Sequence, residues 1–322
     1  MSDRIRTIVA GVSPPAADDP TLAAAAGLAR WTGAELHLVL AFSVPPVLGP
    51  PELGYMPPGW AAGQAEALRA RLQAAARQVP GAESAVCHAV AGAPDSAILE
   101  TAEGVRADLL VVGAARPGRL GPFLGTTAQR VLRGAGAPVL VVRRPLHRPL
   151  GRVLLTTDLS ELSAAVHDQG LRTAAELFGA AGALRALLVL PYLIVPSPLP
   201  REAVERAALD ELRAFLAARR SPAAVEPVVR DGAPGDEIAA EARAWNADLL
   251  VVGTHARGWA ARLVLGSVAE AAVRDAPCNV LAIPPRALAA GAAADGAAAG
   301  APEDGHARGE EPAAGLNSTP GG

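Results

Sequence analysis

Asp248-Leu-Leu-Val-Val-Gly253-Thr-His-Ala-Arg-Gly258, with Gly266-Ser267 close behind, is the stretch on which the fold turns. Its Leu/Val run is short and apolar throughout, as expected of a strand covered on both faces in a parallel sheet. The run leads directly into Gly253, then a loop carrying His255, Arg257 and Gly258, then a small-residue pair opening a helical run from Val268 to Arg274. Glycines let backbone N–H groups approach an anion, and a helix N-terminus favours negative charge. On this reading the loop holds the phosphates of a nucleotide.

The same stretch occurs earlier in the chain. Ala107-Asp-Leu-Leu-Val-Val-Gly113 and Ala247-Asp-Leu-Leu-Val-Val-Gly253 are 140 residues apart, as are Gly92-Ala-Pro94 and Gly232-Ala-Pro234. Past the loop the offset grows by one, so that Gly125-Thr126 matches Gly266-Ser267. A period this long is a whole domain used twice, not a solenoid repeat.

Working outward, each copy alternates strand-like and helix-like runs. In the first, strands are expected at Thr7–Val12, Glu35–Ala41, Ala85–Val90, after Asp108 and at Val139–Val142. Helices are expected at Pro20–Arg30, Trp60–Gln78, Asp95–Val105 and after Gly125. The second copy repeats this. Its strands are Arg152–Thr157, Leu184–Leu190, Val225–Arg230, the focal strand and Val280–Ile283; its helices begin at Leu162, Arg201, Asp236 and after Gly266. The pattern predicts an α/β protein of two tandem, doubly wound, parallel five-stranded sheet domains. The domains are expected at 1–145 and 150–286, joined by a Pro-containing linker. An Ala/Gly/Pro tail, 287–322, has no core-forming pattern and reads as disordered. Pro/Gly stretches at Val44–Gly59 and Pro191–Pro200 read as excursions over the strand ends.

Composition narrows the function. All 29 basic residues are Arg, which excludes a lysine-dependent phosphate loop and any Schiff-base chemistry. A formal net charge of −3 gives no reason to expect nucleic acid or a membrane surface as partner. Two distant cysteines, Cys87 and Cys278, suit a reducing compartment. The chain opens without a signal-peptide pattern, and no apolar run is long enough to span a bilayer, so a cytoplasmic protein is expected.

In a doubly wound sheet, ligands bind beyond the carboxyl ends of the strands, where strand order reverses. Thr156-Thr157-Asp158-Leu159-Ser160 puts a carboxylate at the exit of the second copy's first strand. It can accept a hydrogen bond from an adenine amino group or a ribose hydroxyl; equally, Asp158 or Ser160 can simply cap the next helix. His255 and Arg257 have no evident base beside them, and His37, His88 and Cys87 fall in strand patterns and read as core.

Gly253, two residues, Ala256, nine residues, Gly266-Ser267, with Leu263-Val-Leu before it and Val268-Ala-Glu270 and Arg274-Asp-Ala-Pro-Cys278 after, resembles the universal stress protein family. The family signature is Gly, two residues, Gly, nine residues, Gly and Ser or Thr. The likeness covers both copies, about residues 4 to 284, and implies a tandem form with flavodoxin-like layering related to ATP-binding folds. It implies ATP as ligand, with adenine-side residues at Asp158, next to Thr157, and at Val189, and with Val252 beside Gly253. The implied phosphate loop comprises Gly253, Ala256, Gly258, Gly266 and Ser267, followed by Val268, with Ser267 meeting a phosphate oxygen or Mg²⁺. It also implies pairing of domains through their last strands, here Val139–Val142 with Val280–Ile283, or else a homodimer. Ala256 departs from the pattern: its methyl group either strains a backbone that wants positive φ or blocks the phosphate.

The first copy departs further. It shows no carboxylate from Ile8 to Ala17, places Arg116 at the second Gly position, and is one residue short before Gly125. That shortening is expected to shift its helix start away from where phosphates would sit. The expected function is an adenine-nucleotide-binding stress sensor or regulator, at most a slow ATP hydrolase. The alternative is an interaction module of the same fold that works without nucleotide.

Overall fold

The computed structural model describes residues 4–13, 19–44, 59–114, 124–191, 200–219, 224–254 and 265–288. The first half contains β1 (Thr7–Gly11), α1 (Pro20–Thr32), β2 (Glu35–Phe42), α2 (Trp60–Ala76), β3 (Val86–Ala91), α3 (Pro94–Gly104), β4 (Leu109–Gly113), α4 (Thr126–Gly134) and β5 (Val139–Val142). The second contains β6 (Arg152–Thr157), α5 (Glu161–Phe178), β7 (Ala183–Leu190), α6 (Arg201–Ala217), β8 (Val225–Asp231), α7 (Pro234–Ala244), β9 (Leu249–Gly253), α8 (Ser267–Asp275) and β10 (Asn279–Ile283). Each anticipated strand and helix forms, with ends displaced by less than a helical turn. Most of the two Pro/Gly excursions lies outside the described residues.

The strands form one ten-stranded sheet, in the order β3-β2-β1-β4-β5-β10-β9-β6-β7-β8. Neighbours within each half are parallel, while β5 and β10 pair antiparallel, with Leu140 opposite Leu281. The reason lies in the strands themselves. Val280, Leu281, Ala282 and Ile283 are completely buried, and a bare edge of such residues would template aggregation. The antiparallel join sends the carboxyl ends of the two halves' strands to opposite edges of the sheet.

Helices cover both faces, and both layers continue across the join. On one face Trp31 of α1 meets Phe178 of α5 edge-on, ring centroids 6.2 Å apart, and Glu176 accepts the Ile5 N–H. On the other, Gln129 of α4 donates to Glu270 of α8. At the join itself Asn279 Oδ1 accepts from the N–H groups of Arg143 and Arg144, at 2.8 and 3.0 Å.

The aspartate of the repeated Ala-Asp-Leu-Leu motif is a brace. Asp248 Oδ2 accepts the N–H groups of Gly151 and Arg152 at 2.9 and 2.8 Å, and Asp108 Oδ2 does the same for Arg6 and Thr7 at 2.8 and 3.0 Å. Each ties the start of the half's fourth strand to the start of its first, which sets their parallel register.

The outer part of the second half is held by charge. Glu241 of α7, 2 % exposed, bridges Arg185 of β7 at 2.5 Å and Arg230 of β8 at 2.5 and 2.8 Å. Arg185 also pairs with Glu226 and stacks 4.4 Å above the Trp245 ring. The described chain continues past the expected end of the second domain: Ala287 is buried and Leu288 packs on the core. The remainder of the tail, 289–322, lies outside the described residues.

Candidate functional site

The order of strands fixes where the switch point of the second half lies. From β6 the chain crosses to β7 on one side, while β9, on the other side of β6, leads to β10. The crevice at the carboxyl ends of β6 and β9 is therefore the switch point of the second half. Leu155 and Val251 are register partners there, and two residues further along each strand stand Thr157 and Gly253.

At the β6 exit, Thr157 Oγ1 accepts the Leu159 N–H at 3.0 Å and shares a 2.9 Å hydrogen bond with Ser163 Oγ. Leu159 takes up a left-handed backbone, φ 61°, which turns the chain into α5. Ser160, not Asp158, is the helix cap, accepting the Ser163 N–H at 3.1 Å. Asp158 Oδ1 accepts both the N–H and the hydroxyl of Ser160, so it holds the cap in place, and the residue is exposed at the strand exit.

At the β9 exit, Gly253 has a packing reason to be glycine. A Cβ there would come within 3.1 Å of Val166 Cγ2 on α5; at the matching Gly113 it would meet Thr21 Oγ1 at 2.8 Å. Thr254, 1 % exposed, then accepts the Gly266 N–H at 2.9 Å, closing the loop and seating the start of α8 against the strand end. The N-cap of α8, Gly266, makes no side-chain cap bond, and Ser267 and Val268 in its first turn are exposed. The N–H groups of that turn are those a helix leaves without internal partners, and they favour an anion.

Of the other expected residues, Val189 is half-buried near the end of β7, and Val252 is packed in the core, so only its backbone is offered to a ligand. Ala256, Gly258, His255 and Arg257 lie outside the described residues, as does Arg116 of the first half.

Two expectations about the first half need correction. Its shorter loop does not displace α4. Gly125 N–H bonds to Ala114 O at 2.6 Å just as Gly266 bonds to Thr254, and the two glycines share nearly one conformation, φ −62° and ψ 146° against φ −59° and ψ 140°. The closing hydrogen bond fixes the helix start in both halves. Nor does the β1 exit lack a carboxylate in space. Asp19 folds back so that Oδ2 accepts the Ser13 N–H at 2.6 Å while Oδ1 caps α1 through Thr21 N–H at 2.7 Å. This carboxylate is occupied by backbone, whereas Ser13 takes the place corresponding to Asp158.

The histidines divide by burial. His37 is buried, as expected, but His88 and Cys87 are only half-buried on the edge strand β3; His37 Nδ1 and His88 Nε2 are 3.0 Å apart. Burial, then the neighbouring His37, pushes the His88 pKa down. Cys278 is buried and its thiol pKa is pushed up to about 11, mainly by desolvation. Among the described residues no group of three His, Cys, Asp or Glu is placed to hold a metal, and no helix is long and apolar enough to cross a membrane.

His167 on α5 has no role assigned by the sequence. It is 1 % exposed, lies edge-on to Phe215 of α6, and among the described residues neither ring nitrogen makes a well-formed hydrogen bond, Asp168 Oδ1 lying 3.5 Å from Nδ1. Burial lowers its pKa, Asp168 partly opposes that, and Arg219 adds to it. With a depressed folded-state pKa, the unfolded chain takes up the proton first. The stabilisation is therefore complete above about pH 6.5, the ordinary imidazole value, and is lost as pH falls towards the folded-state pKa. Urea midpoints should fall between pH 7 and 5 in the wild type and fall less in His167→Leu; equal slopes would remove His167 as the source.

The fold and the paired strand ends define a tandem α/β protein with a topological switch point between β6 and β9. The sequence model described as Universal stress protein family matches residues 4–143 and again 149–284, and the chain belongs to that family. It is similar to Universal stress protein MJ0531 of Methanocaldococcus jannaschii, 26% identical over 137 residues, which are 41% of this chain and 81% of that protein. It is also similar to a Thermus aquaticus universal stress protein, 36% identical over 123 residues, 36% of this chain and 82% of that one. Among solved structures, a putative universal stress protein from Pseudomonas aeruginosa UCBPP-PA14 aligns at TM-score 0.61 and 20% identity, covering 89% of this chain and 96% of its own. One from Archaeoglobus fulgidus DSM 4304 aligns at 0.54 and 17%, covering 86% and 96%. These two establish the likeness of fold.

Proposed function

We propose that the protein binds one adenine nucleotide per chain, at the strand ends of the second half, and acts as a stress-response sensor or regulator. The observation that carries this is the placement of Asp158, an exposed residue, at the β6 exit, on the strand next to the one whose end seats the start of α8 with its exposed Ser267. A carboxylate suits an adenine amino group or ribose hydroxyl, and the first-turn N–H groups with the Ser267 hydroxyl suit phosphates. ATP is the nucleotide family membership favours. Mg²⁺ would arrive on its phosphates, as this cation commonly does, with Ser267 as a protein ligand.

A second reading, a nucleotide-independent interaction module, draws support from the same region: packing alone accounts for Gly253, and Asp158 already serves Ser160. Identifying any nucleotide that co-purifies, followed by calorimetric titration with ATP, separates the two. One site per chain is expected, with Asp158→Ala weakening adenine discrimination by about 1–3 kcal/mol, the scale of a hydrogen bond to a charged group. No binding, or two equivalent sites, would overturn the proposal.

A further inference from the structure

Gln129 and Glu270 hold the same place in the two halves, each the fourth residue of its helix, α4 or α8. The sheet join is symmetric about the matched pair Leu140 and Leu281, so equivalent residues confront each other across it, as at a two-fold interface. Here the confrontation is unlike. Gln129 Nε2 donates to Glu270 Oε1, and Arg133 Nη2 reaches Glu270 Oε2 at 3.3 Å.

The counterpart of Arg133 is Arg274, the eighth residue of α8. It pairs with its neighbour Asp275, at 2.8 and 3.1 Å, on its own side of the join. The residue after Arg133 is Gly134, and among the described residues the carboxylate Arg133 pairs with is Glu270. The polar contacts of the join are thus asymmetric although its strands are not.

We infer that Gln129 and Arg133 make the join select its partner: the surface of β10 and α8 accepts the unlike first half and resists a second copy of its own half. Two second halves meeting through β10 would set Glu270 against Glu270, two partly buried carboxylates with no amide between them and with each Arg274 already engaged by Asp275. The backbone pairing and the apolar contacts alone do not exclude that arrangement. Charge supplies the discrimination, as it does in other interfaces that choose among similar partners.

Gln129→Glu in the intact chain recreates the like-charge confrontation without separating the halves. It should lower the Tm by about 2–4 °C at neutral pH and low salt, on the scale of one weak charge interaction in a chain this size. The loss should shrink at about 1 M salt, where screening reaches only ~3 Å. Gln129→Glu combined with Glu270→Gln should recover the wild-type Tm, because the pairing of one amide with one carboxylate is then restored with its direction reversed. A Gln129→Glu protein as stable as wild type, or a double variant no more stable than that single one, would overturn the inference.

Discussion

Glu241→Ala should destabilise the protein by about 3–5 kcal/mol, the usual result of removing one partner from a buried ionic network. The carboxylate is 2 % exposed, with one oxygen serving Arg185 and the other serving Arg230. Its loss strands Arg185, 16 % exposed, on Glu226 alone, and leaves a cavity between α7 and the sheet. Arg185 is also fixed by its stacking on Trp245, so it cannot swing out to water without losing that contact. Glu241→Gln keeps the volume and one acceptor, and should cost less. Denaturant unfolding of the three proteins measures this; a loss below about 1 kcal/mol for Glu241→Ala would show that the arginines re-solvate freely.

That network is not legible in the sequence, and the reason is physical. Its carboxylate and Arg185 are 56 residues apart, on different elements, and nothing in a charged residue's neighbours along the chain announces that it will be buried. The apolar runs are legible because burial on both faces imposes itself on consecutive residues. Leu249 to Val252 and Val280 to Ile283 could hardly be anything but interior strands. The β5–β10 join follows for the same reason.

Around the site, spacing misleads in two ways. Counting residues in the loop before Gly125 suggests a displaced helix, but one backbone hydrogen bond fixes that start whatever the loop length. Scanning for a carboxylate beside β1 misses Asp19, which returns to Ser13 from the far side of its loop. Closeness to phosphate is one demand for glycine at position 253. The tight approach to Val166 is a second, purely structural demand for the same residue. Sequence shows that glycine stands there; it does not separate the two demands.

Gly266→Val should reduce ATP binding by roughly a hundredfold or more, equivalent to about 3 kcal/mol, the loss of one or two charge-assisted hydrogen bonds to phosphate. The substitution is informative because the backbone permits it. At φ −59° and ψ 140° Gly266 occupies extended space open to any residue, and a β-branched side chain is at home there. Stability should fall by no more than about 1 kcal/mol, the scale of a poorer N-cap residue, so lost binding reports obstruction of the α8 start and not unfolding. Gly125 provides the matched control, with φ −62° and ψ 146° at the start of α4. Because the two helix starts are built alike, loop spacing does not distinguish the halves; the difference left among the described residues is an aspartate, Asp158, at the β6 exit against a serine, Ser13, at the β1 exit, each nearby carboxylate accepting a backbone N–H. Gly125→Val should therefore leave calorimetric ATP binding intact. If it abolishes binding while Gly266→Val spares it, the nucleotide belongs to the first half, and Asp158 is a holder of the Ser160 cap and nothing more.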